Sequence, residues 1–174
     1  QGPGSFTGLR IGVTCAKVLG YALGCGVVGV PTLEVKACNV SPDSAGRGSR
    51  LCPVQDARRG WVYATVFSST GRRWEDETGV MAGPPEDIAR EVPDGTMVFG
   101  DGVEEYGEVF PAERFPRGRA GLDSPSPVWT ARLGLRRMQR GETAEPMELV
   151  PRYYRPTAPE ENLRRREESG SQDR

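Results

Sequence analysis

The residues best able to do chemistry in this chain lie in a few short clusters. The first is Gly2-Pro3-Gly4-Ser5, running on through Phe6-Thr7-Gly8-Leu9-Arg10. A glycine turn feeding a helix start aims several backbone N–H groups, and the positive end of the helix dipole, at one spot. That arrangement suits an anion, and Gly4, Ser5 and Arg10 are the residues an anion or nucleotide would lie beside. No Lys-Ser or Lys-Thr pair follows the last glycine, and the GxGxxG spacing is absent, so neither a P-loop nor a dinucleotide fingerprint is present. A plain strand-to-helix turn accounts for the same residues.

The second cluster is Asp56-Ala57-Arg58-Arg59, which reads either as an Asx-type turn with a surface ion pair or as a ligand-facing carboxylate beside guanidinium groups. Asp101, held between Gly100 and Gly102, is open to the same two readings. Arg132, Arg136, Arg137 and Arg140 lie partly along one helix face, followed by Arg152 and Arg155. They form a solvated face or a modest RNA-facing patch, with Tyr153 and Tyr154 as stacking surfaces. Arg164-Arg165-Arg166 is balanced by Glu160, Glu161, Glu167 and Glu168. No two carboxylates stand at a spacing that implies general acid and base work.

Composition removes whole classes of chemistry. The 174 residues include no histidine, which excludes Ser-His-Asp and Cys-His catalysis and every histidine-based metal site. No catalytic residue or metal ligand of those kinds is therefore expected. Acidic and basic residues nearly cancel, at a net charge of -1, which argues against strong autonomous nucleic-acid binding and leaves room for a local patch. Cys15, Cys25, Cys38 and Cys52 show no CxxC spacing and read as small buried apolar residues of a reducing compartment. The apolar run over residues 18–30 is too short to cross a bilayer, so a cytoplasmic protein without membrane attachment is expected.

These residues must be positioned by an alternation of strands and helices. Ser5 is a natural N-cap for a helix from Phe6 to Leu23, with Gly24 as its stop. Within it Gly8, Gly12, Ala16 and Gly20 make a small-residue stripe, while Phe6, Leu9, Val13 and Lys17 share a neighbouring face. A glycine inside a helix costs about 1 kcal/mol relative to alanine, so the stripe suggests another backbone approaching closely. A short buried strand is expected over residues 27–30, and a helix capped by Thr32 reaching Asn39. Residues 41–50 form a polar boundary loop, followed by strands over 51–55 and 61–68, a further strand over 78–82, a helix over 84–92 and a strand over 96–99. A short helix over 103–109 and a loop over 111–126 lead to a helix from Ser126 to Arg140, with Val128, Ala131, Leu135 and Met138 as its apolar face. Residues 150–156 are extended, and those after Pro159 are expected to be disordered. The pattern is α/β, with no internal repeat.

The segment Gly2-Pro3-Gly4-Ser5-Phe6-Thr7-Gly8-Leu9-Arg10-Ile11-Gly12 resembles the TsaB (YeaZ) family. The likeness continues through Ala16-Lys17, Gly29-Val30-Pro31-Thr32-Leu33-Glu34, Asp56 to Tyr63, Gly100-Asp101-Gly102 and Pro151-Arg152-Tyr153-Tyr154-Arg155-Pro156. The family usually shows Tyr-Leu-Arg in the last stretch, so Tyr154 is a departure. The resemblance implies an actin-like ATPase (ASKHA) fold of two related α/β subdomains, the first incomplete: residues 1–40 remain of it, 41–149 make the second, 150–158 return and 159–174 form a tail. The family's early strands and first interface helix are expected before Gln1, so the chain reads as an amino-terminally truncated fragment.

The resemblance also implies a role: a non-catalytic scaffold in tRNA threonylcarbamoyladenosine (t6A) modification, paired as a heterodimer with the TsaD transferase subunit. TsaE joins, tRNA is met through the complex, and a homodimer is an alternative assembly. Phe6, Gly8, Leu9, Gly12, Val13, Ala16, Lys17 and Gly20 are the implied partner contacts. No cofactor is expected on this subunit alone, with nucleotide placed at the complex interface. An actin-like nucleotide-binding ATPase or kinase relative is the rival reading. A glycoprotease-like peptidase is disfavoured by the missing histidines.

Overall fold

The computed structural model describes residues 1–119 and 121–155. The expected tail, with its arginine and glutamate runs, and residues 156–158 of the return segment lie outside the described residues. Helix α1 spans Phe6–Leu23, as its caps dictate. The Ser5 hydroxyl accepts from the Gly8 N–H at 3.3 Å, and Gly24 closes the helix in the left-handed region at φ 62°.

Residues 27–30 do not form the expected buried strand. Val27 makes one antiparallel bridge, to Ala144, and of the four only Val30 is buried. A ladder needs a neighbour of matching length, and among the described residues this segment pairs with a single one. Helix α2 spans Thr32–Ala37 and starts from Pro31 in extended conformation, so Thr32 is its first residue rather than its cap. The polar loop that follows holds a one-turn helix, α3 (Pro42–Ala45).

The centre of the molecule is a sheet built on β1 (Arg50–Arg58). The expected strand over 61–68 is split into β2 (Trp61–Ala64) and β3 (Phe67–Ser69), and both run antiparallel to β1 at its two halves. β4 (Trp74–Asp76), which the sequence pattern missed, pairs with β3, and β5 (Met81–Gly83) pairs with β2. Helix α4 (Pro85–Glu91) leads to β6 (Met97–Phe99), which lies parallel to β1. The short helix comes earlier than expected: α5 is Asp101–Glu105. After α6 (Pro127–Gln139), a 3-10 turn at Pro146–Glu148 precedes the return segment.

Strand alternation covers both faces of this sheet. Cys52, Val54, Val62, Ala64 and Val98 point to one side, where Ile88, Val92, Phe110 and Phe115 close the main core. Leu51, Phe67 and Phe99 point to the other, against Leu33 and Ala37 of α2. Helix α6 docks on a third, smaller cluster. The face expected to be apolar is turned outward, with Val128 57%, Leu135 56% and Met138 46% exposed. Leu133 and Trp129 face Val30 and Val35 instead. Arg137 fixes that rotation: it donates to the Gly29 carbonyl and to Glu34, each at 2.6 Å.

Candidate functional site

Three chain segments meet at the start of α1 and enclose a cleft of about 960 Å³. The first is the turn Pro3-Gly4-Ser5-Phe6, the second the tip of the β1–β2 hairpin, and the third the return segment from Arg152 to Arg155. The 18-residue helix supplies the turn with its dipole. Phe6 and Thr7 carry first-turn N–H groups with no acceptor inside the helix.

The hairpin tip is shaped by its backbone. Arg59 and Gly60 have φ of 54° and 73°, the two positive values that a two-residue hairpin turn of right-handed strands requires. Just before them the register slips by one residue between Asp56 and Arg58, and Arg58 also sits at φ 64°. This bulge turns the tip toward the cleft. Asp56 holds it there: its Oδ1 accepts from the Arg58 N–H at 2.8 Å, and its carboxylate pairs with the Arg58 guanidinium at 3.1 Å. The Asx-type turn and its ion pair are therefore both present.

Asp101 reaches the same place from the start of α5. Its Oδ1 accepts from the N–H groups of Asp56 and Gly102, both at 3.1 Å. The flanking glycines make this approach steric rather than incidental. Gly100 has φ 114°, and a Cβ there would fall on the Val54 carbonyl; one at Gly102 would stand 2.9 Å from Val54 Cγ1. Arg155 ties the return segment to the hairpin, donating to the carbonyls of Ala57 at 3.0 Å and Arg58 at 2.6 Å, with its guanidinium 4.9 Å from the Trp61 ring centre. Arg58, Arg59, Arg152 and Arg155 outnumber Asp56 and Asp101 around the cleft, so its field favours an anion.

Lys36 was not singled out by the sequence. It lies on α2 with its side chain only 6% exposed and its ammonium 4.0 Å from Asp101 Oδ1. Burial pushes its pKa below the usual lysine value, and Asp101 and Asp123 pull the other way. Nothing in the local pattern Glu34-Val35-Lys36-Ala37 marks the lysine as buried. That follows from α2 lying on β1.

Of the expected anion-proximal residues, Gly4 and Ser5 line the cleft and Arg10 does not. The Arg10 guanidinium stacks 3.9 Å from the Phe6 ring centre, and its Nε donates to the Tyr153 hydroxyl at 3.1 Å. The Phe6 and Tyr153 rings are themselves 5.2 Å apart.

The expected partner contacts are divided by the structure. Gly8 and Gly12 are exposed, and a Cβ at Gly12 would meet nothing within 4 Å. Leu9, Val13, Ala16 and Lys17 are half-buried on the face turned to the chain. Gly20 is buried, and a Cβ there would come within 2.7 Å of Val27 Cγ1 and 3.0 Å of Pro146. The opposite face carries Ile11, Val18, Leu19, Tyr21 and Leu23, between 60% and 77% exposed. Two cysteines also depart from expectation, since Cys15 and Cys25 are exposed. Among the described residues no helix is long and apolar enough to cross a membrane.

Comparison with known proteins gives a consistent set of likenesses. The family profile described as TsaD, tRNA N6-adenosine threonylcarbamoyltransferase, matches residues 1–115. The tRNA threonylcarbamoyladenosine biosynthesis protein TsaB of Bacillus subtilis is 30% identical over 163 residues, covering 89% of this chain and 67% of that protein. An uncharacterized protein of Mycobacterium leprae is 30% identical over 88% of this chain, which spans only 36% of its length. Among solved structures, YeaZ from Pseudomonas aeruginosa superposes with a TM-score of 0.69 at 28% identity, over 87% of this chain and 71% of that one. A second Pseudomonas aeruginosa structure, of a protein with similarity to peptidase YEAZ, gives 0.73 at 27%, over 88% and 70%. These likenesses imply the actin-like ATPase fold for the mixed α/β architecture described above.

Proposed function

The chain belongs to the TsaB (YeaZ) family, and on that premise we propose that it serves t6A biosynthesis as a non-catalytic scaffold paired with TsaD. The observation that carries this reading is the outer face of α1: five large apolar side chains, uncharged and unpacked, along one 18-residue helix. A contiguous exposed apolar surface of this kind marks an interaction site. Gly8 and Gly12 border it, and their bare backbone lets a partner helix lie close. In this assignment the partner contacts shift from the inward residues Leu9, Val13, Ala16, Lys17 and Gly20 to the outward ones, with Gly8, Gly12 and the rim residue Phe6 retained. Residues 1–40 then belong to the subdomain that presents α1, and 41–149 to the second, sheet-bearing one. TsaE and tRNA join through the complex.

Light scattering of the chain mixed with TsaD tests this directly. A heterodimer is expected, it is lost in Val18→Asp and Leu19→Asp, and TsaD transfer activity rises only when the unaltered chain is present. Heterodimer formation by both variants sinks the interface. The melting temperatures of the same variants separate two coverings of this face. Unfolding without TsaD marks a face packed within the protein itself, whereas loss of the heterodimer at an unchanged melting temperature marks the partner.

A second reading rests on the cleft: four guanidinium groups and a helix start around about 960 Å³ suit a nucleotide, as in an actin-like ATPase or kinase relative. Nucleotide titration decides it. Turnover by the chain alone favours this reading over the scaffold, while binding only after TsaD is added places the nucleotide at the complex interface.

A further inference from the structure

A second concave surface lies away from the cleft, between α6, α2 and the β3–β4 hairpin. It is a groove of about 330 Å³ lined by five arginines against two glutamates, and it contains Trp74 and Trp129, two of the three tryptophans of the chain. Three of those arginines are engaged within the fold. Arg137 is held by Glu34 and the Gly29 carbonyl, Arg73 pairs with Glu75 at 2.6 Å, and Arg140 lies 3.8 Å from Glu142. Arg72 and Arg136 are exposed, and among the described residues no ion pair engages either.

The two indoles are fixed rather than loose. Trp74 donates from Nε1 to the Val40 carbonyl at 2.8 Å, which pins the edge of its ring. Trp129 packs on the cluster of Val30, Val35 and Leu133, and the Arg132 guanidinium stands 5.0 Å from its ring centre. Both rings remain half-exposed. Two uncompensated guanidinium groups beside two anchored aromatic rings match the pieces of a nucleic-acid single strand: phosphates for the arginines, base faces for the indoles. Ring faces are offered only to bases that are not already stacked in a duplex, so an unpaired loop fits and a paired helix does not.

We propose that this groove binds an unpaired stretch of RNA, with Arg72 and Arg136 on the backbone and Trp74 and Trp129 stacking bases. The choice of RNA over DNA rests on the role in tRNA modification proposed above. The net charge of -1 is no obstacle, because the excess is local to the groove.

The test is anisotropy of the full chain with four labelled probes: an RNA stem-loop, a fully paired RNA duplex, a DNA stem-loop of the same sequence and polyglutamate. The RNA stem-loop is expected to bind, and Arg72→Ala/Arg136→Ala to weaken it about tenfold while lowering the salt slope by about 1.4, the value for two lost phosphate contacts to a single strand. The melting temperature should be unchanged, since both side chains are exposed. In Trp61→Phe, where the remaining indoles lie in the groove, the stem-loop should quench tryptophan fluorescence. Equal binding of the duplex, absence of quenching, or polyglutamate binding as tightly as RNA would each overturn the proposal, the last marking an acidic protein partner. Equal affinity for DNA overturns the assignment to RNA. A chain that binds the loop without activating TsaD keeps the groove and loses the scaffold role. One that activates TsaD but binds RNA equally well with both arginines removed does the reverse.

Discussion

Residues 51–54 of strand β1 and the length of helix α1 are both rich in apolar side chains, and they use that character in opposite ways. Leu51, Cys52 and Val54 of β1 are all 0% exposed, sealed by residues from both sheet faces. In α1, by contrast, Gly20 is the sole buried residue of 18, and side chains as large as Tyr21 and Leu23 stand in water. Hydrophobicity in the first region is consumed by the fold, while in the second it is left available. The sequence shows apolar side chains in both, and only the burial separates a core from a surface held for something else.

The contrast can be broken most forcefully from the core side. Phe110 is fully buried against Phe115, so Phe110→Ala should destabilise the chain by about 3–5 kcal/mol in chemical denaturation. A loss below 1 kcal/mol would mean that the main core is not where stability resides. Next, two glycines of one helix should respond with opposite signs. Gly20→Ala drives a methyl into Val27 and Pro146 and is expected to lower stability by about 1–3 kcal/mol. Gly12→Ala meets open space and should raise it by about 1 kcal/mol through helix propensity. If the proposed interface is right, Gly12→Ala nonetheless weakens TsaD binding, a stabilised chain that associates less.

The smallest effect sharpens the same line at the cysteines. Cys15 and Cys25 are exposed, whereas burial pushes the Cys38 thiol up to about 11 and the Cys52 thiol up to about 12. Alkylation of the folded chain at neutral pH should therefore modify the first two and spare the others, as peptide mass mapping would show. The Cys52 shift also has a pH signature. The folded state keeps a proton that the unfolded chain releases near 9.0, so this contribution to stability is complete below pH 9 and fades between 9 and about 12. Cys52→Ala should flatten that part of the alkaline decline.

Much of this arrangement was legible in the residues. Ser5 and Gly24 mark the ends of α1 because caps act locally, and the Asx-type turn at Asp56 is legible for the same reason. Gly100-Asp101-Gly102 stands out because a close backbone approach leaves only glycine. What failed depended on distant partners. The rotation of α6 is set by Glu34 and Gly29, more than a hundred residues away, so its surface leucine and methionine read wrongly as core. Lys36 is buried for a tertiary reason, and the strand over 27–30 dissolved because its pairing partner is one residue long. The small-residue stripe is divided by the fold, with Gly20 turned inward and Gly8 and Gly12 outward. The arginine patch was visible only in part: Arg136, Arg137 and Arg140 line the groove, whereas Arg72, Arg73 and the two tryptophans come from elements that no window joins to them, and Arg152, Tyr153, Tyr154 and Arg155 line the cleft instead.

The packing of α1 against the end of the chain also sets a clock. Phe6 meets Tyr153, Gly20 meets Pro146 and Val27 bridges to Ala144, so each anchor is translated well over a hundred residues after the segment it secures. At ribosomal speeds of about 5–20 residues per second, that is an interval of roughly 6–30 s. Throughout it α1 is without these carboxy-terminal contacts. A chaperone or an assembling subunit therefore has an opportunity to meet α1 before those contacts form.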